Sequence, residues 1–121
     1  MKAANAYATT LGLLLLVEGI WGLFSPVVFG VLSTNLMHAV IHLGLGCWGI
    51  WAARAGRTRG YLLFVGGLLL AVGLLWFVPS VGEIIVRLLN VNRPVACVNV
   101  VVGIVSLLMA NGARSASVVP S

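Results

Sequence analysis

The chain has 121 residues, 61% of them apolar and only 7% charged, where a soluble domain carries about 45–50% and about 25%. Glu18 and Glu83 are its only acidic residues, against seven Lys and Arg that leave a net charge of +5. Such a chain cannot cover a soluble surface with polar groups. Composition also excludes a disordered tail, a disulfide scaffold and a nucleic-acid-binding module, so a single integral membrane domain over 1–121 is expected.

A bilayer core about 30 Å thick needs about 20 apolar helical residues. From Ala3 to Phe24 the only charge is Glu18, and from Gly19 to Ala53 there is none. That second stretch is too long for one helix. Pro26 removes a backbone donor and disfavours helix at Ser25, and Ser33-Thr34-Asn35 offers caps for a new start. The first two spans are therefore expected at 4–24 and 35–53. A third runs over 60–79, closed by Pro79, and a fourth over 94–110, with Asn92 as a cap and Pro94 at the first helical position. The fold expected is all-α, a polytopic bundle of four transmembrane helices. Barrel strands would alternate over about ten residues, and these Leu/Val/Gly runs do not. The first span reads as retained rather than cleaved, because Glu18 interrupts it and no small-x-small site follows it.

Between spans three and four, Val81, Ile84, Ile85, Leu88 and Val91 share one helical face, and Glu83, Arg87 and Asn90 the other. That pattern fits a short helix lying in the membrane interface, with Glu83 and Arg87 at i and i+4 expected to pair. Arg54, Arg57 and Arg59 crowd the link between spans two and three. An even number of spans puts Lys2 and Arg114 on the same side, so both termini are expected in the cytoplasm.

The two halves resemble each other as a tandem two-helix repeat. An offset of 54 residues aligns Gly12, Leu14, Leu15, Leu16 and Gly19 with Gly66, Leu68, Leu69, Leu70 and Gly73. An offset of 57 aligns Asn35, Ala39, Gly46, Ala53 and Arg57 with Asn92, Ala96, Gly103, Ala110 and Arg114, and places His42 on Asn99. Repeats of two spans each would run parallel, about an axis along the membrane normal.

At about 100° per residue, span two gathers Asn35, His38, His42, Gly46, Gly49 and Ala53 on one narrow face. Span four gathers Asn99, Gly103, Ser106 and Ala110; span one Leu11, Leu15, Glu18 and Gly22; span three Gly66, Leu70, Gly73 and Phe77. Small and polar stripes bring membrane helices together, so these faces are expected to meet in the middle of the bundle. Counted along each helix, Glu18, His42 and Asn99 lie about 8–10 Å from the outer end and His38 about 5 Å. An ionisable group at such depth costs about 2.5–3.5 kcal/mol even on the gentler insertion scale. Glu18 is expected to offset this by pairing with a histidine, which would fasten span one to span two. The sharper reading is a metal, proton or ligand site.

For a metal, His38 and His42 at i and i+4 point the same way and with Glu18 would make a His₂Glu set acceptable to zinc or another divalent ion. Otherwise no cofactor is expected. Haem between two axial histidines is disfavoured within one chain, since both lie on one face of one helix, and nothing in the sequence supports a single-histidine haem or pigment ligand. Cys47 and Cys97 differ in height by roughly 13 Å, too far for a disulfide. Trp48, Trp51 and Trp76 read as lipid-facing or interfacial. No Asp is present to orient a histidine, and no nucleophile motif surrounds Ser25, Ser80 or Ser106. An enzyme is not expected.

The stretch from Asn35-Leu36-Met37-His38 through His42-Leu43-Gly44-Leu45-Gly46 to the Arg54-Ala55-Gly56-Arg57 turn resembles a family of small bacterial four-span membrane proteins classed only as domain of unknown function 4383. The resemblance covers nearly the whole chain. It implies a four-helix membrane fold, a bacterial inner (plasma) membrane location and no assigned activity. Family members often repeat the Asn/His signature at the fourth span, but here Val95 follows Asn92 where a second histidine would stand. The leading expectation is a non-enzymatic structural or accessory subunit whose partners are the lipid bilayer and a homo-oligomer or larger membrane complex. The alternative is a small metal-, proton- or ligand-binding or translocating protein using Glu18, His38 and His42.

Overall fold

The computed structural model describes residues 2–118, with side chains over 2–112. The Arg114 side chain, counted above toward the cytoplasmic charge, lies outside the described residues. The structure is 81% helical. In chain order come α1 (Lys2–Phe24), a hairpin of two short strands β1 (Val27–Val28) and β2 (Leu32–Ser33), α2 (Leu36–Ala55), α3 (Thr58–Leu75), α4 (Val81–Leu89) and α5 (Arg93–Val118). Helices α1, α2, α3 and α5 are long and apolar enough to cross a bilayer, with mean hydropathies of 1.5, 1.4, 1.8 and 2.0. The protein is an all-α four-helix membrane bundle.

Local chemistry sets the boundaries. Asn35 caps α2, its Oδ1 accepting the His38 amide at 2.9 Å. Gly56 closes the helix at φ 74°, a left-handed position that suits glycine, and its N–H bonds the Ala52 carbonyl. In the first link, Phe29 and Gly30 both take positive φ, 53° and 74°, the turn geometry that closes a tight hairpin. This hairpin, pairing Val27 with Ser33 and Val28 with Leu32, is not expected from the sequence pattern.

The expected end of span three at Pro79 is corrected to Leu75. Proline disfavours helix in the residues before it, and the chain tightens early: Phe77 N–H bonds Leu74 and Val78 N–H bonds Leu75. Helix α4 follows, as expected. Its Val81 and Ile85 are half-buried while Ile84 and Leu88 stay exposed, so its apolar side is only partly covered by protein. The expected Glu83–Arg87 pair does not form. Among the described residues the only close contact between an acidic and a basic side chain is that of Glu18 with His42, and an exposed pair on a short helix gains too little to hold two long side chains together.

The bundle is two tight hairpins, α1 on α2 and α3 on α5, set against each other. A Cβ on Gly46 would lie 2.7 Å from the Gly12 carbonyl oxygen, one on Gly103 2.9 Å from that of Gly66, and one on Gly73 2.7 Å from that of Ala96. Gly22 abuts Ala39 and Thr34. These glycines, Gly66 included, therefore serve contacts within each half rather than the middle of the bundle, which corrects the sequence reading. The physical reason is that backbones this close leave no room for larger groups, whereas the wider space between hairpins takes Leu11, Leu15, Leu45, Leu62, Val65 and Leu69. Gly49 and Ser106 do face the opposite hairpin, through Tyr61 and Tyr7 respectively.

The contacts made in one half are made again in the other, at the aligned positions. Gly12 against Gly46 answers to Gly66 against Gly103, and Gly19 against Ala39 and Leu43 answers to Gly73 against Ala96 and Val100. Across the hairpins the pairing is reciprocal. Tyr61 donates to the Leu45 carbonyl at 2.8 Å, and Tyr7, its aligned residue, donates to the aligned Val102 carbonyl at 3.4 Å. At one end Asn5 accepts from Thr58 and sets the start of α1 beside the α2–α3 turn. Lys2, Arg54, Arg57 and Arg59 therefore share that end, opposite Glu83, Arg87 and Arg93.

Candidate functional site

The deep polar side chains converge near the end of the bundle that carries α4. His42, on α2, places Nδ1 3.2 Å from Oε2 of Glu18 on α1, and the two side chains are only 11% and 12% exposed. Their register follows from Gly19, whose missing side chain lets α2 approach α1 beside Ala39 and Leu43. The expected link between spans one and two is present in this form. His38, one turn earlier, is buried with its ring 4.3 Å from that of His42. Its Nδ1 donates to the Leu89 carbonyl at 3.0 Å, which assigns its tautomer. His38 thus ties α2 to the end of α4, a partner no local sequence rule would identify.

Asn99 projects from α5 to the same level. A cavity of about 20 Å³ is lined by Glu18, Ser33, Thr34, His38, His42 and Asn99 together with apolar neighbours. Asn35 does not join this cluster: it caps α2, and its Nδ2 donates to the Leu88 carbonyl at 2.9 Å. The alternative reading, a His₂Glu metal set, does not assemble. No three of His, Cys, Asp and Glu among the described residues group as a metal ion requires, because Glu18 is engaged by His42 while His38 turns to Leu89.

Over this cluster lies a hydrogen-bonded cover made by both links. Ser33 Oγ donates to the Asn90 carbonyl, Asn90 Nδ2 to the Thr34 carbonyl, and Asn92 Nδ2 to the Val31 carbonyl. Asn90 sits at φ 52° as the closing residue of α4, a conformation asparagine tolerates better than most. Trp76 donates from Nε1 to Val91 at 2.8 Å. It is therefore a structural residue rather than a lipid-facing one, and Trp48 likewise packs edge-on against Tyr61 at 5.2 Å. Trp51, Cys47 and Cys97 are exposed on the bundle's surface.

A second polar layer sits nearer the arginine-rich end. Tyr7 and Ser106 hydroxyls are 2.8 Å apart, and Tyr61 fills the notch at Gly49. Sequence reasoning named Ser106 and Gly49 but missed both tyrosines. The signal was there, since Tyr7 and Tyr61 stand at the same offset as the glycines of their helices. Between the two layers, Leu11, Leu15, Leu45 and Leu69 are all buried, and Ser106 follows Asn99 at i+7, about 10 Å along the helix. No family model, no curated protein and no solved structure matches the chain.

Proposed function

We propose that the protein is a non-enzymatic structural or accessory subunit of a bacterial inner membrane, with both termini in the cytoplasm and a tandem two-helix repeat as its plan. The observation that carries this reading is the apolar block of Leu11, Leu15, Leu45 and Leu69 between the two polar layers. A proton or ion pathway needs polar side chains or water along its length, and among the described residues no buried polar side chain lies in this stretch. The polar cluster acts as a fastener: Glu18 with His42 joins α1 to α2, and His38 joins α2 to the end of α4. Lys2, Arg54, Arg57 and Arg59 support the orientation through the positive-inside rule. The repeat is supported by contacts that recur at aligned positions, and the resemblance to the four-span family of unknown function fits the same plan.

The test is reconstitution into liposomes under a pH gradient with a dye trapped inside. Leakage equal to that of empty liposomes is expected. A proton flux above that level, abolished by His42→Ala, overturns the accessory reading in favour of translocation.

A further inference from the structure

Asn99 is only 7% exposed, yet among the described residues its carboxamide makes no side-chain hydrogen bond. Among the described residues the only fully buried side-chain polar atom without a partner is Arg59 Nε, so the Asn99 amide opens onto cavity space, where a ligand could meet it. Three cavities meet at it and at His42.

Comparison of the halves shows what Asn99 lacks. On α2 the aligned residue is His42, which is held by Glu18 of α1. On α3 the residue aligned with Glu18 is Val72. Asn99 therefore stands where His42 stands, but its partner helix carries Val72 where that of His42 carries Glu18. The two gaps between the hairpins differ to match. The gap bordered by Leu14, Glu18 and Val98 holds about 20 Å³. The gap bordered by Ile41, Leu68 and Val72 holds about 60 Å³. One water needs about 10–15 Å³, so the second gap has room for a larger group.

That larger gap is apolar except at its inner end, where His38, His42 and Asn99 border it. Ile41 is exposed on the bundle's surface and Leu68 and Val72 are half-buried, so the gap's lining reaches the apolar surface of α2 and α3. No Lys or Arg borders it to balance an anion, and a carboxamide offers both donor and acceptor without charge.

We propose that Asn99 is the recognition residue of a lateral binding site for a membrane-dissolved amphiphile carrying a neutral hydroxyl or carbonyl group. The oxygen sits where Val72 supplies none, and the apolar part lies along Ile41, Leu68 and Val72. This goes beyond the accessory role and does not depend on it, since a ligand-stabilised bundle and an unliganded one are equally compatible with a sealed core.

The experiment uses the whole chain in phosphatidylcholine nanodiscs, with ¹⁵N-labelled asparagine, titrated with decan-1-ol and in parallel with decane. The two probes share a chain and differ by one hydroxyl. Decan-1-ol is expected to move the Asn99 carboxamide resonance and to raise the melting temperature above the value with decane. Asn99→Leu should lose that difference. Val72→Gln, which supplies the missing oxygen from within, should melt higher than the parent without probe and also lose the difference. If Asn99→Leu fails to fold, Val72→Gln and the parent spectrum decide the matter alone. Equal responses to decane and decan-1-ol, or an Asn99 resonance that moves with neither, overturn the proposal and leave a pocket for water only.

Discussion

Asn35 and Asn92 cap α2 and α5, and each donates from Nδ2 to the link of the other hairpin: Asn35 to the Leu88 carbonyl, Asn92 to the Val31 carbonyl, both at 2.9 Å. Val31 and Leu88 are themselves aligned positions. One residue type therefore does two jobs twice, starting a helix and locking the halves together.

Asn35→Ala and Asn92→Ala should each lower stability by about 1–2 kcal/mol, the scale of a lost cap. Asn35→Asp keeps the acceptor that bonds the His38 amide but loses the donor to Leu88, so it should recover only part of the loss. Thermal unfolding in mild detergent measures this. Full recovery by aspartate would show that the cross-half bond contributes nothing.

The glycines divide into two classes. Gly46 and Gly103 face backbone, and Gly44 and Gly67 face open space. Gly46→Leu and Gly103→Leu should give little folded, monodisperse protein on size-exclusion chromatography. Gly44→Ala and Gly67→Ala should fold and gain about 0.5–1 kcal/mol from higher helix propensity. Loss of folding in the second pair would mean that those faces are packed in the membrane.

Tyr61 and Tyr7 predict unequal costs. Tyr61 is 1% exposed and donates to the Leu45 carbonyl at 2.8 Å, so Tyr61→Phe should cost about 1 kcal/mol. Tyr7→Phe deprives the buried Ser106 hydroxyl of its partner. Tyr7→Phe combined with Ser106→Ala should then be less damaging than the two single losses added, because both ends of the bond are removed together. A double-mutant cycle on the unfolding midpoint checks this.

Much of the plan was legible because membrane residence makes polar residues conspicuous. Glu18 and His42 stood out as ionisable groups in apolar runs, and helical spacing brought them to one level. Pro26, Asn35 and Gly56 punctuate the chain by backbone chemistry alone. What escaped depends on pairings between segments far apart in sequence. His38 bonds Leu89, Ser33 bonds Asn90 and Trp76 bonds Val91, each through a backbone carbonyl that carries no sequence label. The small-residue stripes were found correctly but aimed at the bundle's middle, because helical periodicity gives a face and not the neighbour it meets. Tyr7 and Tyr61 bond backbone and hydroxyl partners on distant helices, which helical spacing does not reveal.

Glu18 and His42 act as one fastener between α1 and α2. Melting curves of the parent, Glu18→Leu, His42→Leu and the double variant test this directly. Each single change strands a partly buried polar partner and should lower stability, by about 3 kcal/mol at most on the scale of an orphaned buried group. The double variant replaces both by apolar groups and should be more stable than either single variant. Losses that simply add in the double variant would contradict the account.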